Sequence, residues 1–207
     1  MLSVLCGGML ALAGCGGGGR GRGGGTRQVR LPAAEAYRLL AATGARFDRV
    51  SSAGRGSCVI PAPVRLRSLP IATMSSPVLT SANLAVALAR FEVQAIQPLA
   101  VKWLGAQVRT IGHYGSYACR SMTGNGRRLS LHATGEAIDL ASFTLTDGRV
   151  IRVKEAWEDG TRAERRFVQD LAAYACRYFS VVLTPHSDSD HLDHLHLDIG
   201  PWTLCSL

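Results

Sequence analysis

Two short segments of the chain carry the residues best suited to chemistry. The first is Ser130-Leu131-His132-Ala133-Thr134-Gly135-Glu136-Ala137-Ile138-Asp139, an SxHxxGxAxD run, and the second is His191-Leu192-Asp193-His194-Leu195-His196. Together they read as a split zinc site. Catalytic zinc takes three protein ligands from imidazole, carboxylate or thiolate and keeps one position open, and His132, Asp139 and His196 fill that set. On a strand, residues two apart on one face lie roughly 6.5 Å apart, given a rise of about 3.3 Å per residue. That spacing sets His194 beside the metal and not on it.

The elements that must position these residues are legible as alternation. Ala137, Asp139 and Ala141 share one face of an expected strand, with Ile138 and Leu140 on the other. Leu195, Leu197 and Ile199 alternate with His194, His196 and Asp198 on a second strand, and Gly135 permits the bend that turns His132 towards Asp139. Elsewhere the pattern predicts helices over residues 33–43, 81–96 and 163–179. Leu84, Leu88, Phe91 and Ala95 form one buried stripe, and Phe167, Leu171, Tyr174 and Tyr178 another. Pro98 is expected to break the second helix and open a further turn towards Leu104. Strands are expected over 108–111, 137–143, 180–183 and 195–199, with Asp147-Gly148 as a hairpin turn joining 143–145 to 150–153. Phe143, Trp157 and Trp202 read as core or cleft-wall residues. The class is α+β, in one domain.

With these runs stand Gly56-Ser57-Cys58-Val59, Pro63-Val64, Val93-Gln94, Gln97-Pro98, Ser116-Tyr117-Ala118-Cys119-Arg120, Ala175-Cys176 and Asp193-His194-Leu195-His196-Leu197-Asp198. On them the chain resembles the zinc-dependent cell-wall peptidases of the D-Ala-D-Ala carboxypeptidase and murein-endopeptidase group, whose fold is shared with the hedgehog signalling domain. Within that group it is most similar to bacterial extensin-like C-terminal domain proteins, from about residue 34 onward. The resemblance implies a hedgehog/DD-peptidase-like fold, a small, mainly antiparallel sheet flanked by helices with zinc on the sheet. It implies that His132, Asp139 and His196 are the metal ligands and that zinc activates a water for attack on a peptide carbonyl.

Two neighbours compete for the role of general base. Asp193 occupies the place where one branch of the group carries Glu, and His194 matches the first His of the HxH pattern in the other. His194 is favoured, because its strand face agrees with that of His196 and imidazole titrates near working pH; Asp193 is expected to point away. Arg120 matches the arginine-bearing segment upstream of the zinc motif and is expected to hold an oxyanion or a substrate carboxylate. Ser130 and His191 are candidates for substrate binding, against plainer roles in closing a turn or lining a solvated loop. Asp198 is a candidate acceptor orienting a ligand histidine.

At 207 residues, with 47% hydrophobic and 18% charged residues, the chain suits one globular domain plus a tail. No apolar stretch is read as a membrane span. Residues 1–13 form a short apolar segment ending in Leu12-Ala13-Gly14-Cys15, which resembles a lipobox, although no Lys or Arg precedes it. Residues 1–15 are thus expected to be a lipoprotein signal with Cys15 lipidated, 16–33 a flexible Gly/Arg-rich tether, and 34–207 the peptidase domain. Cys58, Cys119, Cys176 and Cys205 form an even set that allows three connectivities. The pairing taken here is Cys119 with Cys176, leaving Cys58 with Cys205. The resembled family commonly carries a further Cys near the helix that here opens at Thr80-Ser81, and this chain does not.

The net charge of +8 calls for acidic partners, and no nucleic-acid motif accompanies it. For an exported lipoprotein, peptidoglycan carboxylates and anionic headgroups are the counter-charges. The expectation is a monomeric, periplasmic, lipid-anchored zinc metallopeptidase that binds no nucleic acid and cleaves stem or crosslink peptides of peptidoglycan. The alternative is a non-catalytic, zinc-containing lipoprotein that binds peptidoglycan as an envelope tether.

Overall fold

The computed structural model describes residues 24–123 and 125–207. Its elements run α1 (Ala33–Ala42), β1 (Arg46–Arg49), β2 (Pro63–Ser68), β3 (Thr73–Ser81), α2 (Ala82–Phe91), a π-helical segment (Glu92–Ile96), α3 (Gln97–Leu104), β4 (Val108–Gly115), β5 (Ser121–Met122), β6 (Asn125–Leu129), β7 (Ala137–Leu145), β8 (Val150–Arg152), α4 (Val153–Glu158), α5 (Arg162–Ala175), β9 (Val181–Leu183), β10 (Leu195–Asp198) and β11 (Leu204–Cys205). One nine-stranded sheet has the order β1-β2-β3-β4-β7-β10-β9-β11, with β8 also paired to β7. It is mainly antiparallel; β3 with β4 and β9 with β11 are the parallel pairs. The expected α+β class with helices flanking a sheet is present, and the sheet is larger than anticipated.

One of the strands not anticipated carries a proline. β3 contains Pro77, a residue that removes a ladder donor and argues against a strand. Here the β2–β3 register jumps from Leu66↔Val78 to Ser68↔Thr73, so Pro77 falls in the irregular stretch, where no regular ladder bond is demanded of it. Pro98 was expected to break the second helix. The helix does not break: Ala82–Leu104 is continuous over 23 residues, long and apolar enough to cross a membrane. Its π-helical segment, in which the Gln97 N–H bonds back to the Glu92 carbonyl, widens the turn just ahead of Pro98 and accommodates it. Gly105, at φ +72°, ends the helix in the left-handed region.

That helix belongs to the core. Ser81 caps it by accepting from the Leu84 N–H at 3.2 Å, and Leu84, Leu88, Phe91 and Ala95 are all buried as their spacing predicts. On α5, Phe167 and Leu171 are buried, whereas Tyr174 is exposed, because the buried face runs through Val168, Ala172 and Ala175 and leaves Tyr174 at its edge. Phe143 and Trp157 join the core, and Trp202 is half exposed.

Two further expectations need correction. The disulfides are Cys58–Cys119 and Cys176–Cys205, not Cys119–Cys176 and Cys58–Cys205. The reason is topological: the turn holding Cys58 packs beside the turn holding His132, just across from Cys119, while Cys205 on β11 comes beside the end of α5. Residues 24–31, expected within a flexible tether, instead form a strap against the domain. The Thr26 N–H donates to the Cys176 and Phe179 carbonyls, Leu31 exchanges two hydrogen bonds with the Asn83 side chain, and Arg30 reaches Glu136 at 2.7 Å. The expected signal segment, Cys15 and residues 16–23 lie outside the described residues.

Candidate metal centre and its cleft

β7 and β10 are antiparallel neighbours, and their register sets Asp139 directly opposite His196. Leu195 and Leu197 are fully buried, so burial of the apolar face fixes that register and presents His196 on the other side. His132 arrives from a short 3-10 turn, Leu131–Thr134, which Gly135 terminates at φ +61°. The Gly135 carbonyl accepts from both the Ser81 N–H and the Thr80 hydroxyl at 2.9 Å. A side chain on Gly135 would meet Ile60 at 3.2 Å. The bend is therefore held from both sides.

The result is a tight cluster of donors. One nitrogen each from His132 and His196 and one Asp139 oxygen all lie within 4.8 Å of one another. His132 Nε2 is 3.2 Å from an Asp139 oxygen and from His196 Nδ1, and His196 Nδ1 is 3.0 Å from the other Asp139 oxygen. The outward nitrogens are engaged elsewhere. His132 Nδ1–H donates to the Ser116 carbonyl at 2.9 Å, and His196 Nε2 faces Asp198 at 3.5 Å. This assigns the inward nitrogens, His132 Nε2 and His196 Nδ1, as the ones free to coordinate, with their partners orienting the rings. Two imidazoles and one carboxylate so arranged fit a divalent metal.

The electrostatics of the metal-free cluster follow from the same contacts. Burial opposes charge on both Asp139 and His196, but their mutual contacts outweigh it. Hydrogen bonds from His132 and then His196 hold the Asp139 carboxyl below the usual carboxylate range. For His196, the bonds to Asp139 and then Asp198 push the ring up to about 9.

His194 sits just before β10, not on it, yet reaches the cluster: its Nε2 is 3.4 Å from Asp139. Its Nδ1 is 2.8 Å from Asp193, and Asp193 in turn accepts from the Tyr114 hydroxyl at 3.0 Å. Asp193 does face away from the metal donors, as expected, and lines a separate surface hollow with Tyr114 and Arg152. Its place is behind His194, orienting that ring, so the structure does not bring it to the ligands as a base. The hydrogen bond with His194 holds its carboxyl below the ordinary range.

A cleft of about 380 Å³ opens over the donors. Arg120, Ser130 and His191 all line it with His132, Asp139, His194 and His196. Ser130 also performs the plainer task, accepting from the His132 N–H at 3.3 Å to close its turn. His191 is held by Asp188 at 2.6 Å; burial pushes its ring down, with Asp188 opposing. Asp198 takes the orienting place anticipated for it. Residues not singled out in advance are Ser116, which acts through its carbonyl and so leaves no side-chain signal, Tyr114, Arg128, and Glu136. Glu136 lies inside the motif but faces its rear. There it is 2% exposed, accepting from Thr134 at 3.0 Å and from Arg30. Burial raises its pKa and Arg30 opposes that rise.

In comparison with known proteins, the family described as extensin-like protein C-terminus matches the chain over residues 35–206. No curated protein and no solved structure matches the chain.

Proposed function

We propose that this chain, which belongs to the family of extensin-like protein C-termini, is a zinc-dependent peptidase that hydrolyses a peptide bond in the stem or crosslink peptides of peptidoglycan. With this goes the finer proposal that its fold is that of the hedgehog/DD-peptidase group. The observation that carries the reading is the convergence of His132 Nε2, His196 Nδ1 and an Asp139 oxygen under an open cleft, each ring fixed from behind. A nitrogen, nitrogen, oxygen set with room above it suits catalytic zinc. When bound there, zinc would supply Lewis-acid polarisation of the scissile carbonyl and a water acidic enough to ionise near neutral pH.

The chain's own residues divide the remaining work. His194, beside the cluster and lining the cleft, accepts the proton from the attacking water and passes it to the leaving amine. Asp193, bonded to His194 Nδ1 at 2.8 Å, fixes the tautomer that leaves Nε2 free for that transfer. Arg120, on the cleft wall, holds the oxyanion or a substrate carboxylate by a forked hydrogen bond. Two disulfides among the described residues suit an oxidising compartment. That supports an exported, periplasmic setting, and the proposed lipid anchor at Cys15 rests on the Leu12-Ala13-Gly14-Cys15 run alone.

The test is incubation of the zinc-loaded full chain with purified peptidoglycan, beside chelated and His194→Ala samples, with mass spectrometry of the released fragments. Fragments that require both metal and His194 are expected. A folded, zinc-loaded protein that binds the wall and releases nothing would replace the peptidase reading with that of an envelope tether.

A further inference from the structure

The cleft holds more cationic recognition than the reaction needs. Arg128, on β6, lays its guanidinium over the Trp202 ring at 4.2 Å. Both residues line the same cleft as the metal donors, and Trp202 is 51% exposed there. An arginine braced flat on an aromatic face keeps the N–H edge of its fork free and loses little further freedom when it binds a carboxylate. Among the described residues, neither Arg128 nor Arg120 has a carboxylate partner within 4.0 Å. The carboxylates sharing the cleft are mostly engaged. Asp139 is held by the two ligand imidazoles, Asp188 by His191, and Asp198 by the Gly200 N–H. Among the described residues, only Asp190 lines the cleft with its carboxylate uncommitted.

We propose that Arg128, braced on Trp202, forms a second carboxylate-binding position in the cleft, distinct from Arg120, so that the ligand is a peptide bearing a free carboxylate at that position. This rests on the peptide-cleft reading above, and it names the substrate class more narrowly: an acidic peptide with its side-chain or terminal carboxylate unamidated. Arg128 is a binding residue here, and Trp202 is the residue that positions it.

The test uses the full chain, zinc-loaded, with a set of short synthetic stem peptides in which each carboxylate in turn is replaced by a carboxamide. Affinity is read by calorimetry and turnover by chromatography, for the native protein, Arg128→Gln, Arg128→Lys and Trp202→Leu. The native protein is expected to lose about tenfold or more in affinity on one particular amidation, the scale of a charge-assisted forked bond. Arg128→Gln should bind that acid and its amide alike, with KM raised and kcat unchanged; Lys should restore part of the preference, and Trp202→Leu should lose part of it. Equal weakening of acid and amide in Arg128→Gln, or no weakening, overturns the proposal. Acid-selective binding lost in Arg128→Gln but without hydrolysis upholds it while overturning the peptidase reading. Hydrolysis without acid selectivity overturns it alone.

Discussion

Metal uptake by this site should be coupled to one proton, and the size of the coupling can be worked from the cluster itself. In the metal-free protein His196 Nδ1 donates to Asp139 and Nε2 faces Asp198, contacts that push the ring up to about 9. Coordination through Nδ1 requires that proton to leave. At about pH 7 the ring lies roughly two units below its pKa, so displacing the proton costs about 2.7 kcal/mol, or about a hundredfold in apparent affinity. Zinc affinity, measured by competition with a chromophoric chelator, should tighten about tenfold per unit between about pH 7 and pH 9 and then level off. Calorimetry in buffers of different ionisation enthalpy should find close to one proton released at about pH 7. The metal-free fold should change in the opposite direction. A histidine whose pKa is raised on folding contributes stability that is complete below its unfolded value, near 6.5, and is lost as pH rises through about 9. The melting temperature of the metal-free protein should therefore fall over that window, and that of the zinc form should not follow it. An affinity that stays flat from about pH 7 to pH 9, with no proton released, would refute the charged-ring description of His196.

Other outcomes follow from single contacts. Asp198→Asn, which weakens the brace on His196 Nε2, should loosen metal binding by about 10- to 100-fold with the fold retained, as measured by chelator competition; unchanged affinity would remove Asp198 from that role. Gly135→Ala imposes a left-handed conformation on a residue with a side chain and crowds Ile60, so denaturant unfolding should register a loss of about 1–2 kcal/mol. Cys176→Ser opens a loop of sequence separation 29 and should cost about 2–4 kcal/mol in the same assay. Asp193→Asn should retain stoichiometric metal while lowering kcat, since it touches His194 and none of the three ligands; metal loss in that variant would contradict the placement of Asp193.

The sequence was most informative where periodicity and chemistry coincide. Alternation around His196 and Asp139 located both strands that carry the site, and Gly135 marked the bend for His132. Packing alone decided what alternation cannot express. Pro77 is compatible with β3 because the register shift leaves it outside the regular ladder, and Pro98 looked like a helix end until a π turn absorbed it. The ring of His132 is fixed by the carbonyl of Ser116, which any residue at that position would also offer, so no side chain announced it. The disulfide partners were equally hidden, because pairing among four cysteines depends on which turns meet.

The strap of residues 24–31 bears on where the folding unit begins. Family similarity starts at residue 35, but Arg30 supplies the counter-charge for Glu136, a carboxylate sealed behind the metal motif whose backbone bonds to Leu131 and Ile199. A chain trimmed to the family boundary would keep that buried carboxylate with Thr134 as its one remaining side-chain donor, a deficit of about 1–3 kcal/mol placed against the turn that carries His132. The boundary of likeness and the boundary of cooperative folding therefore differ, and a few residues of apparent leader are part of the machinery they precede.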